Sequence, residues 1–481
     1  MRDRGIVLDR SSGTPLHRQL ESAIREAILS GRLKPGERIL SSRELQTHLG
    51  LSRNTIVTAL DQLYAEGYLI SVRGVGTFVT EALVNRTRVS EMPEPEKPLV
   101  PTPAASAFLA AQDLAGNFTG NAPFRPGVPA LDLFPSVQFR RALNARAWNA
   151  QALGYPSACG DERLREAIGR RLQQTRGVAC TPEQIFIVGG AQAAFSLIAR
   201  VLLKRGDHVV VEEPGYPNVR AVLLAQGARL LTAPVDADGV DIGPLMRRRA
   251  AFMHMTPSHQ YPTGAVLTLE RRFAVLEWAA KHDAWIVEDD YDSEFTYTRN
   301  PQPALHGLDG GRRVLYVGTF SKVLSPALRV AYIVVPKALH SAFQAAQQVI
   351  GDQPSTILQS ALAAFMENGQ FSRHIFRMRA VYDERRRFAH AEFRRRFQSA
   401  VQIQDSGAGL HFTVHLPRDV DDAKFSERAL EAGVIVPPLS KYFVGRPTLN
   451  GILIGYAGSA PAIAKQAITQ LAHVYAALRR A

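Results

Sequence analysis

The chain has 481 residues, of which 46% are hydrophobic and 21% charged, and its formal net charge is +13. A chain of this length is too long to fold around one hydrophobic core, so we predict two or more domains. The composition is that of a globular protein. The N-terminal residues lack the apolar core of a signal peptide, and no apolar run reaches the ~18 to 20 residues of a membrane span. Two cysteines are too few for a disulfide framework. We therefore expect a cytoplasmic protein with no membrane segment.

The positive charge permits a polyanionic partner without proving one. Residues 1–80 contain eleven Lys and Arg against eight Asp and Glu, whereas the densest basic run is 373–396. A helix so rich in arginine is more often a solvated face than a nucleic-acid site.

The N-terminal 80 residues predict three helices. Residues 15–30 repeat Leu and Ile at helical spacing, and Gly31 and Pro35 follow. Ser42 is expected to cap a second helix that ends at Leu49, and Ser52 a third that extends to 66. Two short helices joined by a tight turn predict a helix-turn-helix, and the polar start of the third helix suits contact with DNA.

Two short strands, 68–72 and 77–80, are predicted after the third helix. They flank Arg73-Gly74-Val75-Gly76, whose glycines allow a close approach to a groove while Arg73 contacts phosphate or a minor-groove edge. Residues 1–80 thus predict a winged helix-turn-helix that binds DNA. The competing interpretation is a small helical domain that binds protein.

The next segment, 81–117, is rich in proline and acidic residues and predicts a semi-extended linker. From 118 onward, strand-like and helix-like segments alternate, which predicts an α/β domain with a mostly parallel sheet that extends to 481. Helices are expected at 336–350, 355–368 and 371–398, followed by a small C-terminal subdomain of short strands and helices.

One lysine in this second domain has a special setting. Lys322 follows an apolar run, 313–317, and lies among the hydroxyls of Thr319 and Ser321, with Arg329 seven residues further on. Such an amine can form a Schiff base with an aldehyde cofactor whose phosphate the hydroxyls and the guanidinium hold. Taken alone, the pattern also fits a surface lysine in a loop.

Other segments provide possible partners for that cofactor. Residues 284–290 predict a buried strand that ends in acidic residues. Asp289 is a candidate to contact a pyridine nitrogen and keep it protonated, and Tyr291 is a candidate to donate a hydrogen bond to the phenolic oxygen of the ring. Residues 185–190 predict a strand that ends in Gly189-Gly190, and a helix over 191–204 follows, whose N-terminus suits a phosphate. A further strand delivers Tyr216, an aromatic ring able to stack.

Five motifs carry a family resemblance: G-G-A-Q (189–192), E-E-P-G-Y-P (212–217), T-P-S-H-Q-Y-P-T-G (256–264), E-D-D-Y-D-S-E-F (288–295) and G-T-F-S-K (318–322). They resemble the fold-type-I aminotransferase domain of pyridoxal-phosphate proteins. Together with the N-terminal domain, they resemble the MocR/GabR-type branch of GntR-family transcriptional regulators.

The resemblance implies pyridoxal 5'-phosphate as the cofactor and a homodimer as the assembly. It implies a Schiff-base role for Lys322, contact with the pyridine nitrogen for Asp289 and with the phenolic oxygen for Tyr291, and ring stacking for Tyr216. The remaining implied cofactor residues are Ala191, Gln192, Thr319, Ser321 and Arg329. The implied DNA-binding residues are Arg43, Ser52, Arg53, Asn54, Thr55, Arg73 and Gly74. No metal site is expected.

Two departures bear on the choice between a regulator and a working aminotransferase. Tyr261 stands where aminotransferases usually have asparagine, and 451–456 lacks the arginine that usually clamps a substrate carboxylate. Arg446 is a possible substitute. We expect a regulator that senses pyridoxal phosphate or an amino compound, with the cofactor's own occupancy favoured as the signal; the alternative is an aminotransferase with an appended DNA-binding domain.

Overall fold

A computed structural model describes residues 8–81, 122–146, 157–297 and 302–480, with the short stretches 105–106, 108–109 and 153–155. The chain divides into two compact units, Met1–Val100 and Pro101–Ala481. The predicted linker, 81–117, lies almost wholly outside the described residues, so its boundaries stay a prediction.

The first unit contains three helices and a two-stranded sheet. These are α1 (Leu16–Leu29), α2 (Ser42–Leu49), α3 (Arg53–Ala65), β1 (Leu69–Val72) and β2 (Gly76–Val79). Their apolar faces form one core that includes Leu20, Ile24, Ile56 and Leu63, each at most 1% exposed. Burial of these side chains holds the helices together, since helices this short are marginal in isolation.

A serine caps each of the two helices of the helix-turn-helix. Ser52 caps α3 as predicted, and its hydroxyl accepts the Thr55 N–H at 3.2 Å. The predicted cap of α2 is wrong by one residue: Ser41 is the cap, and Ser42 is the first helical residue. The reason is a capping box, in which Ser41 Oγ accepts the Glu44 N–H and Glu44 Oε2 accepts the Ser41 N–H.

The strands of the first unit form an antiparallel hairpin in which Leu69 pairs with Val79 and Val72 with Gly76. The turn between them carries Arg73, Gly74 and Val75, all exposed, and Gly74 has a φ of 77° that favours glycine. This hairpin is the predicted wing.

The described residues of the second unit form an α/β domain with eleven strands in two sheets. The helices of five or more residues are α4 (Ser136–Arg146), α5 (Glu162–Arg176), α6 (Ala191–Leu202), α7 (Pro217–Ala225), α8 (Leu269–His282), α9 (Leu305–Asp309), α10 (His340–Ile350), α11 (Thr356–Glu367), α12 (Gln370–Phe397), α13 (Asp422–Glu431) and α14 (Pro461–Leu478). The strands are β3 (Ile185–Val188), β4 (His208–Glu213), β5 (Arg229–Asp236), β6 (Gly239–Val240), β7 (Phe252–Met255), β8 (Trp285–Asp290), β9 (Val314–Thr319), β10 (Ala331–Val334), β11 (Gln402–Gln404), β12 (His411–His415) and β13 (Gly451–Gly455).

The large sheet has eight strands in the order β3-β10-β9-β8-β7-β4-β5-β6. Strands β9, β8, β7, β4 and β5 run parallel, whereas β10 is antiparallel to both of its neighbours and β6 is antiparallel to β5. The prediction of a mostly parallel sheet therefore holds for its centre. Because β10 opposes both β3 and β9, those two strands point the same way, and their carboxyl ends reach the same edge.

The central strands are mostly apolar, with acidic residues at the ends of β4 and β8, as expected of strands that helices cover on both faces. Every residue of β3, β7 and β9 is buried. One strand end is stabilised by a buried ion pair: Arg176 Nε lies 2.8 Å from Asp290 Oδ2, which also accepts the Tyr316 hydroxyl at 2.6 Å. Burial lowers the pKa of Arg176, but Asp290, Tyr316 and Glu288 together outweigh this effect, so the net shift is upward.

The small sheet, in the order β11-β12-β13, forms the predicted C-terminal subdomain with α13 and α14. The arginine-rich run lies on α12, and several of its guanidinium groups pair with nearby acids. Arg386 bonds Asp383 and Asp405, while Arg395 and Arg396 bond Glu392. Among the described residues, no helix is long and apolar enough to cross a membrane.

Candidate cofactor site and DNA-binding face

A cavity of about 310 Å³ lies at the carboxyl edge of the large sheet. Because parallel strands end together there, residues far apart in sequence come close to one another. Asp289, near the end of β8, pairs with Val317 of β9, and Val317 precedes Lys322 by five residues. Of the predicted cofactor residues, all nine line this cavity: Ala191, Gln192, Tyr216, Asp289, Tyr291, Thr319, Ser321, Lys322 and Arg329. The structure thus brings together the set that the sequence motifs suggested.

Lys322 lies in the loop after β9, and its Nζ donates to the Gly127 carbonyl at 3.0 Å. Burial lowers the pKa of the Lys322 amine, and the Arg125 guanidinium adds to this, while the carboxylates of Asp289 and Asp292 oppose it. A lowered pKa increases the neutral fraction of the amine, which is its nucleophilic form.

Asp289 is 6% exposed and is backed by a histidine that the sequence analysis did not identify. His254 Nε2, on the neighbouring strand β7, lies 3.5 Å from Asp289 Oδ2 and has no hydrogen-bond partner among the described residues. A histidine within an apolar strand, as in Phe-Met-His-Met, was the only local signal of this pair.

One end of the cavity suits a phosphate. It lies where β3 turns through Gly190 into the N-terminus of α6, whose first N–H groups and dipole favour an anion. Gly190 has a φ of 100°, and a Cβ there would lie 3.2 Å from Arg329 Cζ. Arg329 itself has a φ of 51°, a strained conformation that its surroundings hold in place. Thr319 accepts the Ser321 N–H at 3.1 Å in the adjoining loop.

Tyrosines form another part of the wall. The Tyr216 hydroxyl accepts from Gln192 Nε2 at 3.4 Å, and burial together with Asp289 raises the pKa of Tyr216 to about 12. Tyr261 packs edge-on against Tyr216 and bonds the Tyr442 hydroxyl at 3.1 Å. Burial raises the pKa of Tyr261 well above its ordinary value, so this hydroxyl stays neutral.

Tyr291 lines the cavity, and its hydroxyl donates to the His259 carbonyl at 2.9 Å. His259 Nδ1 also lies 2.9 Å from Asp292 Oδ2. Burial raises the pKa of Asp292, and His259 opposes that shift. This buried histidine and aspartate position Tyr291 from behind, and the sequence analysis missed both.

His259, Asp292 and His411 bring potential metal ligands within 4.8 Å of one another. His411 Nε2 contacts the Pro262 carbonyl at 3.2 Å and His259 Nδ1 contacts Asp292 Oδ2 at 2.9 Å, whereas His259 Nε2 has no hydrogen-bond partner among the described residues. Burial lowers the pKa of His411 well below its ordinary value, which keeps the imidazole neutral.

The position where aminotransferases usually carry the carboxylate-binding arginine lies in a hydrophobic cluster in this structure. Leu453 is fully buried and packs with Leu439, Tyr442 and Tyr261. Arg446, the possible substitute, is exposed and does not line the cavity. Instead the cavity contains Arg125, which the sequence analysis did not identify.

The predicted DNA-binding residues lie at the helix-turn-helix and the wing. Those exposed are Arg43, Ser52, Arg53, Asn54, Arg73 and Gly74, and Thr55 is half-buried. Ser52 and Thr55 bond each other, with their hydroxyl oxygens 2.8 Å apart, so both also support the start of α3. Arg53 and Asn54 are the first two residues of α3 and remain open to a partner surface.

A shallow groove beside α2 adds one arginine that the sequence analysis missed. Its lining includes Arg38, Arg43 and His48. Arg38 pairs with Phe78 of the wing, and its Nε would lie 2.7 Å from a Cβ at Gly76. Arg38 makes this contact because the wing pairs with the segment before α2. No local sequence pattern indicated that pairing.

The fold and the cavity together define an aminotransferase-type domain carried by a chain with a winged helix. Two family descriptions match: "Aminotransferase class I and II" over residues 130–458 and "Bacterial regulatory proteins, gntR family" over 16–79. The chain belongs to the class I and II aminotransferase family and carries a GntR-family DNA-binding domain, the combination found in MocR-type transcriptional regulators. The predicted fold class and the predicted regulator family are confirmed.

Relatives of known name support this assignment. The chain is 38% identical to the probable rhizopine catabolism regulatory protein MocR of Rhizobium meliloti, over 98% of this chain and 96% of that protein. It is 32% identical to the pyridoxine biosynthesis transcriptional regulator PdxR of Corynebacterium glutamicum, over 94% of each. The crystal structure of α-aminoadipate aminotransferase LysN of Thermus thermophilus, complexed with N-(5'-phosphopyridoxyl)-L-leucine, is similar with a TM-score of 0.69 at 28% identity, covering 75% of this chain and 94% of that one.

Proposed function

We propose that this protein is a transcriptional regulator that binds operator DNA through its winged helix and pyridoxal 5'-phosphate through its aminotransferase-like domain. The observation that carries the proposal is the union in one chain of a helix-turn-helix with exposed arginines and a cavity built around the half-buried Lys322. Occupation of that cavity, by the cofactor or by an amino compound that reacts with it, is the signal that changes DNA binding.

The cavity residues fit the cofactor group by group. When bound, pyridoxal phosphate supplies an aldehyde that reacts with primary amines and a ring that accepts electrons. The Lys322 amine would be the nucleophile for the aldehyde, and the Asp289 carboxylate would keep a proton on the ring nitrogen. Tyr216 would offer a stacking face, and Tyr291, whose hydroxyl donates to the His259 carbonyl in this structure, would contact the phenolic oxygen. The N-terminus of α6 and the side chains of Thr319, Ser321 and Arg329 bind the phosphate.

The alternative is a working aminotransferase with an appended DNA-binding domain. Lys322 and Asp289 keep amine exchange chemically possible, so the cofactor residues alone do not separate the two functions. The replacement of the usual asparagine by Tyr261 and of the clamp arginine by Leu453 favours a domain that binds without sustained turnover. Many turnovers between an amino acid and a keto acid by the full-length protein would favour the enzyme.

We further propose that the regulator is a homodimer, because one winged helix offers too small a footprint for tight specific binding. Two wings on one DNA molecule recognise half-sites about one helical turn apart, a separation of roughly 34 Å. We therefore expect two protected half-sites when the protein is footprinted on the DNA upstream of its own gene, and a dimer at micromolar concentration by sedimentation. A monomer that protects a single half-site at full affinity would contradict the dimer.

A further inference from the structure

The positive charge of the chain is not concentrated on its winged helix. Eleven Lys and Arg against eight Asp and Glu leave residues 1–80 with +3, out of a formal net charge of +13 for the whole chain. The arginine-rich helix α12 carries part of the rest, but six of its nine arginines pair with acidic side chains: Arg379, Arg385, Arg386, Arg387, Arg395 and Arg396. A larger group of unpaired cations lies on a different face of the second unit.

That face is the amino edge of the large sheet, the edge at which the parallel strands β4, β5, β7, β8 and β9 begin. The segments that lead into these strands are 203–208, 226–229, 246–251, 281–285 and 309–313, and together they contain nine Lys or Arg and three Asp. The cations are Lys204, Arg205, Arg229, 247–249, Lys281 and 312–313. Nine positive and three negative side chains give the amino edge a formal charge of +6, which the fold assembles from five separate parts of the chain.

The parallel pairing places these segments side by side. Arg229 pairs with His208 between β5 and β4, and the Ala251 N–H donates to the His208 carbonyl at 2.8 Å. The first residues of β7 and β8 also pair with each other, and the Ile286 N–H donates to the Arg313 carbonyl at 3.0 Å. Because neighbouring strands lie about 4.8 Å apart, the five strand starts form a face about 20 Å wide, equal to the length of about six base pairs.

Most of these cations are exposed and unpaired. Within the part of the chain that the structure describes, seven of the nine have no ion pair and no side-chain hydrogen bond: Lys204, Arg205, Arg229, 247–249 and Lys281. The other two are engaged, since Arg313 Nη2 lies 2.7 Å from Asp283 Oδ1 and Arg312 Nε donates to the Asp309 carbonyl at 2.9 Å. The amino edge therefore presents seven guanidinium or ammonium groups to solvent.

The arginine triplet, 247–249, combines an anchored backbone with exposed side chains. Trp278 Nε1, on α8, donates to the Arg248 carbonyl at 3.1 Å, and His282 Nε2 contacts the Met246 carbonyl at 3.0 Å. Trp278 is fully buried, so these contacts fix the triplet to the core of the unit. A fixed backbone holds the three charges on one face and leaves only side-chain entropy to be lost when they bind.

The composition of the amino edge fits a phosphate backbone better than a protein surface. Its five segments contain no exposed large hydrophobic side chain. Specific protein–protein interfaces have a core depleted of charged residues, whereas interfaces with DNA are more polar and much more positively charged. Guanidinium groups match phosphate oxygens in geometry, and five of the seven unpaired cations are arginines.

We propose that the amino edge of the large sheet is a second DNA-contacting surface, which binds the phosphate backbone of the duplex that flanks the half-sites. This inference rests on the proposed function, because it takes the winged helix to hold operator DNA. Both units belong to one chain, so DNA held by the first is at a high local concentration for the second. Contacts to phosphates carry no sequence information, so the flanking sequence is immaterial. The cofactor cavity lies at the opposite, carboxyl edge, and the two sites do not compete.

The test measures how binding depends on salt for operator fragments of two lengths. One fragment contains only the half-sites defined by footprinting, and the other adds about 12 base pairs of unrelated sequence on each side, twice the width of the amino edge. Binding by the cofactor-loaded full-length protein is followed by fluorescence anisotropy at several salt concentrations. Each phosphate contact steepens the fall of the logarithm of the association constant against the logarithm of salt by about 0.9. We expect the long fragment to bind more tightly, with a slope steeper by about 2 to 3.

The triple variant Arg247→Gln, Arg248→Gln and Arg249→Gln is expected to lose this advantage of the long fragment and to keep its affinity for the short one. The matched control replaces three exposed arginines of α12, Arg373, Arg387 and Arg394, by glutamine, which removes the same charge from another face. The control should keep the dependence on flanking DNA. Unchanged cofactor uptake would show that the edge variant is folded, because the triplet does not line the cavity. If the edge variant does not load, the variant Lys204→Gln, Arg229→Gln and Lys281→Gln removes charge from the other strand starts and takes its place.

A wild-type protein with the same salt slope on both fragments would overturn the inference and leave an acidic protein as the partner of this face. An edge variant that keeps the dependence on flanking DNA would overturn it too, as would an α12 control that loses the dependence to the same degree. A wild-type protein that binds neither fragment more tightly than unrelated DNA would instead overturn the proposed function.

Discussion

Replacement of Lys322 by alanine is expected to abolish the covalent attachment of the cofactor. Lys322 is the lysine whose amine lies in the cavity, and burial lowers its pKa, so more of it is neutral near pH 7 than of an exposed lysine. At substoichiometric pyridoxal phosphate, the wild-type protein should turn yellow, and borohydride should fix the cofactor to Lys322 in preference to surface lysines. Mass spectrometry of the reduced peptides measures both outcomes.

Lys337→Ala is the matched control for this experiment, because Lys337 is exposed and lies outside the cavity. It should keep the reducible adduct at Lys322, whereas the Lys322→Ala protein should release its cofactor on dialysis. A Lys322→Ala protein that retains a stoichiometric reducible adduct would show that another amine is the site of attachment.

Replacement of Arg53 by alanine is expected to weaken operator binding by about 1 to 3 kcal/mol if Arg53 contacts a base edge, and by less if it contacts only phosphate. Arg53 is the first residue of α3 and is exposed, and the cap at Ser52 fixes where this helix begins. The N-terminal residues of a recognition helix are those that reach base edges in a major groove. Fluorescence anisotropy with labelled operator at fixed salt measures the change.

Arg18→Ala removes the same charge from α1 and controls for the general loss of electrostatic attraction. We expect Arg53→Ala to lose specificity for operator over unrelated DNA, and Arg18→Ala to keep it. Unchanged operator affinity in a folded Arg53→Ala protein would contradict the proposed orientation of the winged helix.

The cofactor residues were predictable because each belongs to a local pattern at the end of a strand or the start of a helix. Asp289 lies near the end of a largely apolar strand, Tyr216 follows another strand, and Lys322 follows a third. In a sheet with parallel central strands these ends must converge, so local patterns are enough to place them on one edge. Their roles toward the cofactor remain predictions that the Lys322 experiment begins to test.

The residues that were missed depend on contacts between distant parts of the chain. Gly127 contacts a lysine 195 residues away, and the loop that carries Arg125 belongs to no periodic element. His254 and His259 are single histidines in apolar or loop segments, and their partners Asp289 and Asp292 lie some thirty residues further on. The Ser41 cap was displaced by one residue because two adjacent serines offer the same local signal, and only Glu44 distinguishes them.

The most direct test of the central claim is to compare operator binding by the cofactor-free protein, the cofactor-loaded protein and the loaded protein with an amino acid that shifts its spectrum. The ligand-dependent change is a coupling free energy, and allosteric coupling between two sites typically amounts to about 1 to 3 kcal/mol, or a 5- to 150-fold change in affinity. We predict a change of this size in affinity or footprint between at least two of the three states, and no such change in Lys322→Ala. Identical operator affinity and footprint in all three states of the wild-type protein would contradict the account.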